Sequence, residues 1–464
     1  MGTDPAIDLR LEIAVERSAA SLDSLLDAVD GLLAEPPVVV VRAAVDRGLF
    51  RPHDEEILVS WFARFLTVRD GLWDVLADLI QARQGDIEGF FVLDTDAPVE
   101  RRRAFALGYA AACAIVSLDR FLLESLATDR LTQRKLNQGF VERRIPRKVY
   151  TSIFDSFTEP TTALLLDQAV EARLASSSAV ESLRGDRLLV ATLARLPRLE
   201  AALSRSKRLF LRRFARFQSH ALRRRLATIR DHGFFAVLES SGRMVSEIRD
   251  RWKDKRVSAA VRSELAPHLR PGDVLVTRHE RALTNLFLPG FWPHAALYVG
   301  SEADRRALGV DLDDRRAGLW RGTVRTLEAL KDGVRFRPLD ETLDVDAVAV
   351  IRPRLADERI AEGLARAARH EGKGYNFDFD FFRSDRLVCT EVIYRAYDGL
   401  GDLHLPMSER AGRPTLSAED LLDQALDGHG FEVVGVFGAP DAPDRLVVGA
   451  EAVEPLRRSY RDPG

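Results

Sequence analysis

An α+β fold is predicted, with an all-helical domain over residues 1–258 and a mixed helix and strand domain over 259–464. Apolar residues recur at helical spacing from the start of the chain to about residue 258. Beyond Arg256 the texture changes to short β-branched runs punctuated by Pro267 and Pro271-Gly272. Helix-patterned segments then follow the strands instead of alternating regularly with them, which favours α+β over a parallel α/β sheet.

In the first half, Leu22, Leu25, Leu26, Val29, Leu32 and Leu33 form one apolar stripe. Trp61, Phe62, Phe65 and Leu66 form a second, and Leu72, Val75, Leu76 and Leu79 a third. The run Val38 to Val41 is the main strand-like exception, although Pro36 and Pro37 ahead of it also suit a helix restarting there. The most apolar stretch, Ala104 to Leu118, spans about four turns, short of the roughly 20 residues a membrane crossing needs, so a buried helix is expected. Cys113 near its middle is then a quiet thiol. Between Arg205 and Arg230 lie ten Arg or Lys residues and no acidic one, with Phe210, Phe214, Phe217 and Ala221 on one helical face. Such a basic amphipathic helix either presents a solvated face or meets an anionic membrane surface, and charge runs more often do the former.

In the second half the strands are DVLVTR from Asp273, HAALYVG from His294, GVRFRPL from Gly333, AVAVIRP from Ala347 and FEVVGVF from Phe431. Helices are expected from Glu358 to His370 and from Cys389 to about Leu400.

Composition narrows the function. The chain has 464 residues, 46% hydrophobic and 30% charged, with a formal net charge of −3, so no nucleic-acid partner is expected. Two cysteines, Cys113 and Cys389, give no disulfide framework and suit a reducing compartment. The first residues lack a secretory pattern, and Ala6 breaks a myristoylation motif after Gly2; a cytoplasmic protein, with peripheral membrane contact as the alternative, is expected.

Cys389 opens a helix marked by Val392, Ile393, Ala396 and Tyr397 and stopped by Gly399 and Gly401. A thiol there faces the positive end of the helix dipole, and the first-turn N–H groups can receive an oxyanion. His294 heads a strand directly after PGFWP and has the most constrained setting of the nine histidines. Glu328, in RTLEALKDGV, is a carboxylate with apolar flanks that could orient an imidazole. Each alone is weak, since a lone Cys, His or Glu is more often structural. Glu391 suits the first helical turn as a structural charge. Asp378 and Asp380 alternate with phenylalanines like one wet face of an extended segment, and no Cys/His cluster has zinc spacing.

The ordered blocks GDVLVTR, PHAALYVG, TLEALKDGV, GYNFDFDF and LVCTEVIYRAY resemble the circularly permuted papain-like enzymes of the NlpC/P60 superfamily, in its YiiX/YebB-like (YaeF/YiiX) branch. The likeness extends over residues 265–450. It implies a permuted papain-like domain C-terminal to the helical one, a Gly272-Asp273 strand opening, and a catalytic order of His294, Glu328 and Cys389, the last in Cys389-Thr390-Glu391. Glu341, in PLDETLD, is the other carboxylate that could fill the acidic place; the apolar flanks favour Glu328. Trp292-Pro293 departs from the small polar residue expected ahead of the histidine and is expected to shape the mouth of the site. Tyr375 corresponds to a family tyrosine that either meets the oxyanion or substrate or packs as a core aromatic.

The resulting expectation is a cysteine hydrolase acting on a peptide-like amide through a thioester, with no cofactor. The alternatives are a lipid-directed acyltransferase or thioesterase with an apolar groove from Leu286, Phe287, Leu288, Phe291 and Trp292, and a non-catalytic binding module. The role of the helical domain and the oligomeric state are not legible.

Overall fold

The computed structural model describes residues 5–83, 93, 97–140, 143, 145–158, 169–201, 255–278, 291–377, 381, 384–410 and 413–461. The basic segment Arg205–Arg230, the apolar residues Leu286, Phe287 and Leu288, and the acidic pair Asp378 and Asp380 lie outside these residues. The chain divides into two units, Met1–Lys253 and Asp254–Gly464.

In the first unit the apolar stripes become three long helices, Pro5–Ala34, Pro52–Ala82 and Val99–Phe121, packed on one another. Leu22, Leu25, Leu26, Val29 and Leu32 are buried from the first helix, and Trp61, Phe62, Phe65 and Leu72 from the second. Each such side chain contributes about 1.5–3 kcal/mol relative to exposure. The helices approach closely at Gly71, where a Cβ would meet Leu25 Cδ2 at 2.7 Å. Val38–Arg47 is a helix, not a strand, and Gly48 ends it in the left-handed region at φ 77°. The proline pair sets its entry, and the valines sit on a short helix of which only Val41 and Ala44 are buried.

The segment around Cys113 is longer than its apolar run suggests. The helix starts at Val99 and continues through a π-helical turn, Leu122–Leu126, giving 28 residues long and apolar enough to cross a membrane, with 67% of the apolar window buried inside the protein. Charged residues at its ends are absorbed by pairing: Asp119 accepts from Arg69 Nε at 2.7 Å, and Arg103 reaches Glu100 at 2.6 Å. Cys113 is fully buried, and burial raises its thiol pKa.

The second unit is built on an antiparallel sheet. Its strands are β1 (Val274–Arg278), β2 (His294–Tyr298), β3 (Val324–Leu330), β4 (Gly333–Pro338), β5 (Ala347–Pro353), β10 (Phe431–Phe437) and β11 (Val447–Val448), in the spatial order β11-β10-β5-β1-β2-β3-β4. Two small pairs complete the set: β6 (Gly374–Tyr375) beside β7 (Arg386–Leu387), and β8 (Ser408–Arg410) beside β9 (Arg413–Thr415). The fold class is thus mixed helix and antiparallel sheet after a helical first unit, as the sequence pattern predicts.

The sheet is covered on both faces, which is why its strands read as nearly continuous apolar runs. Val274 and Val276 of β1, with Ala295 and Leu297 of β2, pack against Leu364, Val392, Ile393 and Ala396 of the helices Asp357–Ala368 and Cys389–Tyr397. Leu275, Ala296, Val348 and Val350 point the other way, toward Val257, Leu265 and Phe437. Val257 also donates its N–H to Val345 O at 3.1 Å, so the chain just ahead of residue 258 is already part of this unit.

The Gly272-Asp273 opening has a structural role. Gly272 adopts φ 97°, and a Cβ there would meet Ile360 Cγ2 at 2.8 Å. Its carbonyl accepts from Tyr397 Oη at 2.6 Å, tying the start of β1 to the end of the Cys389 helix. Asp273 accepts from Arg352 Nε at 2.7 Å and from the Arg270 N–H at 2.8 Å.

Candidate active site

Cys389 is the first residue of its helix, after Val388 in extended conformation. Glu391 turns back to accept the Val388 N–H at 3.0 Å, which fixes the helix start. The helix packs on the sheet face that carries Ala295 and Leu297, and so brings Cys389 to the head of β2. The thiol is 2% exposed. Burial alone would raise its pKa. The charge and hydrogen bond of His294, with N–H groups of Ala295 and Thr390 donating to the sulfur, outweigh burial and hold it below the ordinary thiol value.

His294 sits at the head of β2, opposite Thr277 of β1. Tyr298 lies opposite Thr326 of β3, and from the next strand Glu328 reaches His294 at the end of β2. Glu328 Oε2 lies 2.7 Å from His294 Nε2. That contact leaves Nδ1 for the hydrogen bond to Cys389. Burial lowers the imidazole pKa, but the Cys389 charge and hydrogen bond and the Glu328 hydrogen bond and charge prevail and push it up to about 10.

Glu328 is 1% exposed. Burial raises its pKa, yet the hydrogen bond and charge of His294, the charge of Arg337 and a hydrogen bond from Thr342 bring it below the usual carboxylate value. Thr342 Oγ1 donates to Oε1 at 2.7 Å and lies 2.7 Å from Thr326 Oγ1. Arg337 Nε, on β4, stands 3.5 Å from Oε1, and the same guanidinium engages Asp332. Glu341, the other carboxylate of the sequence pattern, is 40% exposed and lies 3.9 Å from Arg337.

Thr342, Thr326 and Arg337 escape sequence reasoning. Thr326-x-Glu328 is the period-two trace that could have shown a threonine on the glutamate's face. Arg337 and Thr342 come near only through the β3–β4 register and the short helix Leu339–Thr342 that follows it.

Tyr375 lies on β6, in edge contact with Phe377 at a ring separation of 4.9 Å. Its hydroxyl pKa is raised by burial and by the charges of Cys389 and Glu391, which puts it in the electrostatic neighbourhood of the thiol. Glu391 is fully buried, and burial pushes its carboxyl up to about 7 against the opposing Val388 N–H and Arg395.

Trp292 is where expectation and structure part. Instead of shaping a mouth or lining a groove, it is 1% exposed in the core. Its indole Nε1 donates to Ser459 Oγ at 2.8 Å, and its backbone N–H donates to Glu419 at 3.0 Å. The aromatic ring gains more from burial with a satisfied N–H than from an open loop. Among the described residues no group of three His, Cys, Asp or Glu is placed to hold a metal ion.

Residues 268–427 match the family model described as a permuted papain-like amidase enzyme, YaeF/YiiX, C92 family. No curated protein and no solved structure matches the chain. The match leaves the first unit outside it. Residues 268–427 thus form a permuted papain-like domain of the YaeF/YiiX, C92 family, a cysteine hydrolase domain at the level of its chemistry.

Proposed function

We propose that the protein is an amidase that cleaves a peptide-like amide through a thioester on Cys389. The observation that carries this reading is the continuous contact from Cys389 through His294 to Glu328, with the thiol held below and the imidazole above their ordinary values. In the resting pair the sulfur is a thiolate and His294 an imidazolium. The thiolate adds to the amide carbonyl carbon, and the carbonyl electron pair moves onto oxygen. The Cys389 N–H, at a helical position without an intrahelical acceptor, receives that oxyanion together with Tyr375. His294 gives its proton to the leaving nitrogen as the C–N bond breaks, leaving a thioester. Neutral His294 then takes a proton from water, which attacks the thioester and releases the acid and the thiolate. Glu328 keeps the ring oriented throughout.

A cytoplasmic substrate is proposed, in keeping with two buried free thiols that suit a reducing compartment. The apolar groove required by a lipid-directed enzyme gains no support from Trp292, which is closed into the core.

The test is covalent. A panel of peptide amides incubated with the full chain is expected to leave an acyl mass on Cys389, removed by hydroxylamine and absent in Cys389→Ala. Turnover follows a bell in pH. It falls below the depressed thiol pKa, where sulfur gains a proton, and falls again above about 10, where His294 loses the proton meant for the leaving group. His294→Ala is expected to lower turnover by about 10²–10⁴-fold. An acyl adduct that forms equally well in His294→Ala would remove the proposal.

A further inference from the structure

Glu328 holds a negative charge where almost no solvent reaches it. An unpaired carboxylate in such a place would take up a proton and lose its grip on an imidazolium. Each of its oxygens is engaged differently. Oε2 faces His294 at 2.7 Å, whereas Oε1 faces Thr342 at 2.7 Å and Arg337 at 3.5 Å.

Proton counting orders this second set. Thr342 has one hydroxyl proton and gives it to Oε1, so in its 2.7 Å contact with Thr326 the proton comes from Thr326, whose hydroxyl is shared with the Arg337 carbonyl at 3.1 Å. The hydroxyls therefore point in sequence, Thr326 to Thr342 to Glu328, and each polarises the next. Thr342 fixes the carboxylate against rotation because turning Oε1 away would strand its hydroxyl in the core.

Charge counting explains Arg337. A thiolate, an imidazolium and the carboxylates of Glu328 and Asp332 sum to −2, and Arg337, which faces both carboxylates, together with Arg335 beside Asp332 brings the set to zero. Arg337 is 4% exposed, which is rare for an arginine without a charge to serve.

We infer that Thr342 and Arg337 are positioning residues of this site: Thr342 aims Glu328 at His294, and Arg337 supplies the counter-charge that lets thiolate, imidazolium and carboxylate coexist in the interior. The inference rests on the thiolate–imidazolium reading proposed above. The other charged groups facing this set are Asp332 in the β3–β4 turn, with Arg335 of β4 3.4 Å from it, and Glu341 on the short helix. Glu391 and Tyr375 are the further titratable groups in the electrostatic neighbourhood of the thiol. A purely structural Arg337 would serve Asp332 alone and leave the titration of Cys389 untouched.

The experiment is the pH dependence of iodoacetamide alkylation at Cys389, followed by mass spectrometry on the full-length chain. Removing a cation raises the pKa of every neighbour, so Arg337→Met is expected to move the alkylation midpoint up by about one pH unit. Arg337→Lys restores the midpoint to within a few tenths of a unit. In parallel, the burst of p-nitrophenyl acetate acylation is expected to slow about tenfold in Thr342→Val and to recover in Thr342→Ser. If Arg337→Met does not fold, as judged by circular dichroism, Arg337→Gln removes the same charge while retaining a donor for Asp332. A depressed wild-type midpoint that stays put in the folded Arg337 variant, or an unchanged burst in Thr342→Val, overturns the inference while leaving the reading beneath it intact. A wild-type midpoint in the ordinary thiol range, insensitive to His294→Ala, overturns both.

Discussion

Glu391 shows how a single buried group can serve geometry at a cost. Its carboxylate secures the helix that presents Cys389, yet burial lifts its pKa to about 7. A carboxyl raised in the folded state contributes stability fully below its unfolded value near 4.5, and that contribution is lost as pH rises through about 7. Glu391→Gln keeps an oxygen for the Val388 N–H and removes the charge. Its stability relative to the parent is therefore expected to improve between pH 5 and pH 8, by up to roughly 3 kcal/mol. Urea melts at the two pH values measure it, and a pH-independent difference would rule out the ionisation. The same residue scale explains why Cys389, His294 and Glu328 stand out in the sequence. A cysteine at a helix start and a histidine at a strand head are local features. Arg337 reads as one more strand arginine until the β3–β4 register is known.

At the scale of elements, the turn between β3 and β4 links the carboxylate to the strand that carries Tyr375. Gly333 holds φ 91°, and a Cβ there would meet Lys373 O at 2.2 Å. That carbonyl accepts the Val334 N–H at 2.8 Å, and the Gly372 N–H donates to Val334 O at 2.8 Å, so β4 and the chain entering β6 are laced together at this point. Gly333→Ala adds backbone strain and forces Lys373 away, and is expected to cost about 2–3 kcal/mol. Thermal melts give the cost, and a melting temperature equal to the parent's would show that the turn relaxes freely. Strands β1, β2, β4, β5 and β10 were legible because short β-branched apolar runs are local features. The burial of Trp292 was not, since its indole partner Ser459 lies 167 residues further on. The length of the Val99–Phe121 helix was underread because charged ends look like boundaries until Arg69 is seen beside Asp119.

At the scale of the molecule, each unit has its own buried core, and the second has one on either face of its sheet. Residues 254–464 expressed alone are accordingly expected to unfold cooperatively and to keep the alkylation rate of Cys389 within about threefold of the full chain. A molten product, or a larger loss of rate, would show that the first unit completes the second. The helical character of the first unit was plain from periodicity. Its role was not, because packing stripes report a core and carry no chemistry.

The chain order of the site also has a consequence during synthesis. His294 and Glu328 leave the ribosome before Cys389, and β5 waits for β10, Phe431–Phe437, before its second edge is paired. The helix bearing Ser459 follows later still. Under the proposed mechanism a nascent chain therefore holds base and carboxylate ahead of the sulfur, and the sheet behind them closes only after that, so that reactivity would be delayed until translation of the domain is nearly finished.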